Sequence, residues 1–162
     1  MSNQEQQCIT FPERIGVPKY ILYSDGGCFN NGYPDAHGAW AFLLDGNNRS
    51  QQGCGGFTNY NGKPASNNKA EMLAIINGLR LVEPGSDVEI VTDSEVMISW
   101  IERWQVKHKK KHGMDKDLIN EFISVAAGKN FKATWIKGHN GHEQNEWCDQ
   151  ECERIMKEFA GS

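Results

Sequence analysis

Apolar residues fall in short blocks along the chain, and their spacing changes partway. Residues 19–24, KYILYS, form an unbroken run that predicts a buried strand ending at Asp25. Residues 38–44, GAWAFLL, predict a second strand, closed by the turn signal Asp45-Gly46-Asn47-Asn48. Residues 50–59 read as the returning strand, with Gly53, Gly55 and Gly56 marking a bulge or an edge. These three segments suit an antiparallel meander. From Ser66 the period becomes helical. Met72, Ile75, Ile76 and Leu79 share one side of residues 69–82, and Pro84-Gly85 ends the helix. Residues 88–92 predict a short strand. Ser94 then takes an N-cap position before the stripe Met97, Ile98, Ile101, with Trp100 and Trp104 four apart on a neighbouring face. A helix over 117–127, a strand over 131–136 and a final helix over 143–159 complete the pattern.

Strands that alternate with helices run parallel to the strand they return to. The expected fold is therefore α/β, a mixed five-stranded sheet of three antiparallel strands plus two parallel ones, flanked by helices. Residues 1–17 read as a loose, flexible tail and residues 18–160 as a single domain.

Composition narrows the class. The 162 residues carry a net charge of -4, which argues against a general nucleic-acid binder. The distribution says more. Between Arg103 and Lys116 there are six basic residues and one acid, so a basic patch sits on an acidic body. The start of the chain has neither the basic n-region nor the apolar core of a signal peptide, and no apolar run is long enough to span a bilayer. A soluble, cytoplasmic protein without membrane partners is expected. Five irregularly spaced cysteines fit reduced thiols better than a disulfide framework.

Candidate chemistry lies in four acids. Asp25 follows the first strand and Asp93 follows the fourth, in VEIVTDS. If those strands are parallel neighbours, both acids reach the carboxyl rim, where open α/β sheets bind ligands. Glu71, in NNKAEM, stands four residues before Ile75 and so near the buried side of its helix; Asp149 lies in the last helix. Like charges brought together raise one another's pKa, and a divalent cation removes that cost. Oxygen-only ligands suit magnesium or manganese, and a pair of such ions is a device for phosphoryl transfer. Gly26 and Gly27 would let a sugar-phosphate backbone approach the acids. Asn31, Asn67 and Asn68 are short amides able to meet sugar or base edges, or to shape turns.

The same segments resemble the type 1 ribonuclease H family. The shared features are DGG at Asp25 to Gly27, SNNKAE at Ser66 to Glu71, TDS at Thr92 to Ser94, and a tail motif of Lys137, Gly138, His139, Gly141, His142, Asn145, Glu146 and Asp149. The likeness spans about residues 18–159. It implies a free-standing enzyme that cleaves the RNA strand of RNA–DNA hybrids and leaves 5'-phosphate and 3'-hydroxyl ends. It also implies two Mg2+ ions, with Mn2+ as a substitute, held by Asp25, Glu71, Asp93 and Asp149. His139 would move protons or assist product release, and His142 would pin its loop to the last helix. Gly26, Gly27, Asn31, Asn67 and Asn68 would contact the hybrid. The basic segment matches the family's handle, with Trp100 and Trp104 as an aromatic platform and Lys107, Lys109, Lys110 and Lys111 as phosphate contacts. Lys69 departs from the family's usual arginine, which keeps the charge and loses the fork. A monomer is expected.

Three other readings compete. His139, His142, Cys148 and Cys152 have spacings that suit zinc. A nuclease of the same fold could act on DNA instead. A catalytically silent nucleic-acid-binding module would retain binding after Asp25→Asn.

Overall fold

The computed structural model describes residues 16–107, 115–137 and 142–160. The expected tail falls almost wholly outside these residues. Strands β1 (Lys19–Phe29), β2 (His37–Gly46) and β3 (Arg49–Phe57) form the antiparallel meander. Strands β4 (Asn59–Tyr60) and β5 (Lys63–Pro64) make a separate small hairpin. Strands β6 (Asp87–Thr92) and β7 (Asn130–Trp135) add to the main sheet in parallel, beyond β1. The resulting five-stranded order is β3-β2-β1-β6-β7, with β1 at its centre. This is the mixed sheet that the alternation of strands and helices predicts.

Strand β1 runs further than its apolar run suggests. Its parallel pairing with β6 stops at Tyr23↔Val91, while its antiparallel pairing with β2 continues from Asp25↔Ala41 through Gly26↔Trp40 to Phe29↔His37. The glycines after Asp25 are thus extended strand rather than a turn. A nearby turn signal that does form a hairpin is Asn61-Gly62, both at positive φ, between β4 and β5. That type of dipeptide supplies the left-handed pair a tight hairpin needs.

Side-chain caps open three of the helices. Ser66 Oγ accepts from the Lys69 amide to open α1 (Asn67–Leu79), and Ser94 Oγ accepts from the Met97 amide at the head of α2 (Glu95–Lys107). Asp115 caps α3 (Lys116–Ala126) through the Leu118 amide. Helix α4 (Glu143–Ala160) ends the described chain.

The sheet separates two apolar layers. On one face Tyr20, Leu22, Phe42, Leu44, Val88 and Ile90 pack against Met72, Ile75, Ile76 and Leu79 of α1, Met97, Trp100 and Ile101 of α2, and Leu118, Ile119 and Phe122 of α3. On the other, α4 lays Cys148, Cys152 and Ile155 on the small side chains Ala39 and Ala41. Burying one large apolar side chain stabilises the fold by about 1.5–3 kcal/mol, so the acids at the rim stand on a rigid base. Trp100 is 5% exposed. It lies three residues from Met97 and one from Ile101, so it joins the core stripe itself and not only the neighbouring face on which it pairs with Trp104.

Candidate metal centre and nucleic-acid interface

Asp25 stands two residues past the last β1–β6 pair, and Asp93 follows directly on the end of β6. The two acids therefore meet at the carboxyl rim of adjacent parallel strands. Glu71 comes from the sheet face that α1 covers, near the start of that helix. One carboxylate oxygen from each of Asp25, Glu71 and Asp93 lies within 4.8 Å of the other two. Asp149, on α4 across the sheet, lies near enough for its charge to act on Asp25. Four distant segments thus bring their acids to one rim, three of them into a tight cluster.

The electrostatics follow from crowding. Asp25 is 7% exposed, and burial, then the charges of Asp93 and Asp149, push its carboxyl up to about 8; the Gly26 amide opposes this. Burial, then Asp25 and Asp93, hold Glu71 well above the usual carboxylate range, again against the Gly26 amide. Glu71 Oε1 is buried and has no hydrogen-bond partner. A buried carboxylate oxygen without a donor is costly. An all-oxygen cluster with one such oxygen fits a hard divalent cation, which would supply the missing counter-charge.

The structure gives Gly26 a nearer neighbour than an outside polymer. A Cβ there would lie 2.5 Å from the Ala70 carbonyl carbon and 2.5 Å from the Glu71 amide nitrogen, so the missing side chain admits the backbone of α1. At Gly27 a Cβ would meet Met156 Cε of α4 at 3.0 Å. Asn31 Oδ1 accepts from the Asn67 amide at 2.9 Å, tying the β1–β2 turn to the head of α1. Asn67 and Asn68 are exposed there. Lys69 Nζ donates to the Pro64 carbonyl at 2.8 Å. Trp100 lies in the core. The side chains of Trp104 and Lys107, together with Lys109, Lys110, Lys111 and His139, lie outside the described residues.

The cysteines face the sheet. Cys148 Sγ donates to the Tyr23 carbonyl at 3.8 Å, and Cys152 Sγ reaches the Asp25 and Ala39 carbonyls at 3.6 Å each. Burial pushes both thiols up, away from the thiolate that zinc requires. Among the described residues, Asp25, Glu71 and Asp93 form the group placed to hold a cation. Sequence reasoning missed one contributor. Trp135 is 47% exposed at the end of β7, and its indole N–H donates to the Asp93 carbonyl at 3.2 Å. The available signal was an aromatic residue closing the last strand, two positions before the Lys137-Gly138-His139 motif.

A family model described as RNase H matches residues 18–157. The chain belongs to the RNase H family. Membership places it among the nuclease hydrolases. An RNase H relative from Campylobacter jejuni, named Ribonuclease H, is 36% identical over 132 residues, which cover 79% of this chain and 84% of the relative. A Ribonuclease H from Pelobacter propionicus is 30% identical across 100% of this chain and 99% of its own length. Among solved structures, LC9-RNase H1, a type 1 RNase H with the type 2 active-site motif, matches with a TM-score of 0.66 at 22% identity, over 90% of this chain and 75% of that one. The N-terminal RNase H domain of a Mycobacterium tuberculosis protein matches with a TM-score of 0.67 at 19% identity, over 88% and 96%. At these identities the two structures speak for the RNase H fold.

Proposed function

We propose that the protein hydrolyses the RNA strand of RNA–DNA hybrids with two divalent cations, Mg2+ or in its place Mn2+, leaving 5'-phosphate and 3'-hydroxyl ends. The observation that carries this reading is the cluster of Asp25, Glu71 and Asp93 oxygens within 4.8 Å, with one buried oxygen of Glu71 unpartnered. In this reading Asp25, Glu71, Asp93 and Asp149 hold the ions. Bound cations supply charge neutralisation at the scissile phosphate and a nucleophilic water at neutral pH.

The chain's own groups do the rest. The Gly26 amide eases the charging of both the Asp25 and the Glu71 carboxyls. Asn31, fixed on the Asn67 amide, and the exposed Asn67 and Asn68 suit contacts with sugars in the minor groove, where a 2'-hydroxyl distinguishes RNA from DNA. Lys107, Lys109, Lys110 and Lys111 would neutralise phosphates, which makes binding fall with salt. His139 would carry a proton at the leaving oxygen. Residues 18–160 would act as one catalytic domain, as a monomer.

The test is cleavage of an end-labelled hybrid in Mg2+, beside duplex DNA and duplex RNA of the same sequence. Wild type should cut only the RNA of the hybrid, and Asp93→Asn should lose all but a trace of that activity. An intact hybrid with folded wild type, or cutting of duplex DNA instead, would defeat the proposal.

A further inference from the structure

We propose that Trp135 and Thr92 clamp the backbone on both sides of Asp93, and that this clamp aims the Asp93 carboxylate into the metal centre. The inference rests on the reading of Asp93 as a metal ligand. It concerns two positioning residues that are not themselves among the acids.

Asp93 stands where a strand hands over to a helix, a place where backbone torsions are otherwise loosely determined. Here three hydrogen bonds surround it. The Thr92 carbonyl accepts from the Ile136 amide at 3.0 Å, which carries the β6–β7 ladder one step past its last pair, Thr92↔Trp135. The Asp93 carbonyl accepts from the Trp135 indole at 3.2 Å. The Ser94 amide donates to Thr92 Oγ1 at 3.1 Å. The peptide before Asp93 is thus held at its carbonyl, and the peptide after it at both its carbonyl and its amide. With both flanking planes held, φ and ψ of Asp93 have little freedom, and its Cα–Cβ bond has one direction.

The parts are suited to this use. Thr92 is fully buried, so its hydroxyl has no competing water. Trp135 is half-exposed, yet its single polar atom points back to the acid's backbone and not to solvent. Its indole spans from β7 across to the residue that follows β6. A phenylalanine would fill the same space without the donor. Groups that orient a metal ligand from behind contribute strongly to metal affinity, because a ligand free to swing must be ordered when the ion binds.

The experiment is Mg2+ titration by calorimetry on the folded protein without nucleic acid, for wild type, Trp135→Phe, Thr92→Val and Thr92→Ser. Melting curves and hybrid kinetics at saturating Mg2+ accompany it. Trp135→Phe and Thr92→Val should weaken Mg2+ binding by about tenfold, while Thr92→Ser, which restores the acceptor, should bind like wild type. At saturating Mg2+ the hybrid KM should be unchanged in all three. Mg2+ affinity equal to wild type in both Trp135→Phe and Thr92→Val would overturn the clamp alone. So would a raised hybrid KM for Trp135→Phe with normal Mg2+ affinity, since the exposed indole would then be a substrate contact. A wild type that takes up no Mg2+ would overturn the metal centre and the clamp together.

Discussion

The backbones of Gly26 and Glu71 touch: a Cβ on residue 26 would sit 2.5 Å from the Glu71 amide nitrogen. The strand carrying one acid and the helix carrying another are therefore brought together by the absence of a side chain, and the Gly26 amide serves both carboxyls. Gly26→Ala must push α1 off β1, because the obstructing atoms are main chain and cannot rotate away. The expected cost is about 2–3 kcal/mol, at the upper end for overpacking, read from denaturant midpoints. Mg2+ affinity should fall further than stability alone accounts for, since Glu71 moves away from Asp25. Retention of both would show that the helix can yield without disturbing the acids.

The raised carboxyls make the metal-free protein sensitive to pH in a definite direction. Asp25 binds its proton more tightly folded, at about 8, than at its ordinary 3.8. Its contribution to stability is complete below the ordinary value and is lost as pH rises through the folded one. Glu71 acts in the same sense. In EDTA the protein should therefore weaken between about pH 4 and pH 8. The loss should be at most about 1.4 kcal/mol per pH step for each of the two carboxyls, and sharing of charge among the acids reduces the total to a few kcal/mol. Asp25→Asn should flatten that slope and melt higher than wild type at pH 8. Mg2+ should have the opposite trend, stabilising wild type more as pH rises and protons leave its ligands. Melting curves at several pH values, with EDTA and with Mg2+, check both halves. A slope equal in wild type and Asp25→Asn would show that Asp25 does not keep its proton.

Much of this arrangement was legible in residue order alone. KYILYS and VEIVT read as buried strands, and the acids just beyond them share a rim because the two strands pair in parallel. Glu71 was placed near the buried side by its spacing from Ile75, and it is there. The errors have physical causes. Gly26 and Gly27 lie beyond the apolar run yet within β1, where pairing with β2 keeps both residues extended. Trp100 was placed with Trp104 on a face neighbouring the apolar stripe, whereas its closeness to Met97 and Ile101 puts it in the core. The Asn61-Gly62 hairpin carried a strong local signal that the apolar pattern around it obscured. The role of Trp135 depends on β7 lying beside β6, which no local periodicity encodes.

Thiol chemistry separates the buried cysteines from the rest. Cys148 and Cys152 donate to strand carbonyls, and burial pushes both thiols up. Cys28 and Cys54 are partly exposed. In a Cys8→Ser background at pH 8, a disulfide reagent should label Cys28 and Cys54 in the native protein, and Cys148 and Cys152 only on unfolding. Mass mapping of labelled peptides reads the outcome. Cleavage in Mg2+ should survive Cys152→Ala. Rapid native labelling of Cys152 would show that α4 opens from the sheet, and loss of activity in a folded Cys152→Ala variant would revive a metal role for the thiol.

Lys129 offers a stability test remote from the acids. Gly128, at φ +78, reverses the chain after α3, and the next side chain swings back over two helix ends. Lys129 Nζ donates to the Leu79 carbonyl at 2.8 Å, the last residue of α1, and to the Val125 carbonyl at 2.6 Å, near the end of α3. Helix ends carry partial negative charge on their carbonyls, and that of Leu79 also accepts from the Val82 amide at 3.1 Å, so one ammonium serves both ends. Burial pulls the Lys129 pKa down, and this desolvation offsets part of the gain. Lys129→Met keeps the apolar stem and removes the donors, and it should cost about 1–2 kcal/mol. By contrast the Arg80–Glu121 pair, which joins the same two helices at 2.6 Å with both side chains exposed, should cost at most about 1 kcal/mol when Arg80 is replaced by alanine. Urea midpoints for the two variants rank them. If Arg80→Ala proves the more damaging, the ion pair and not the shared cap holds α1 to α3.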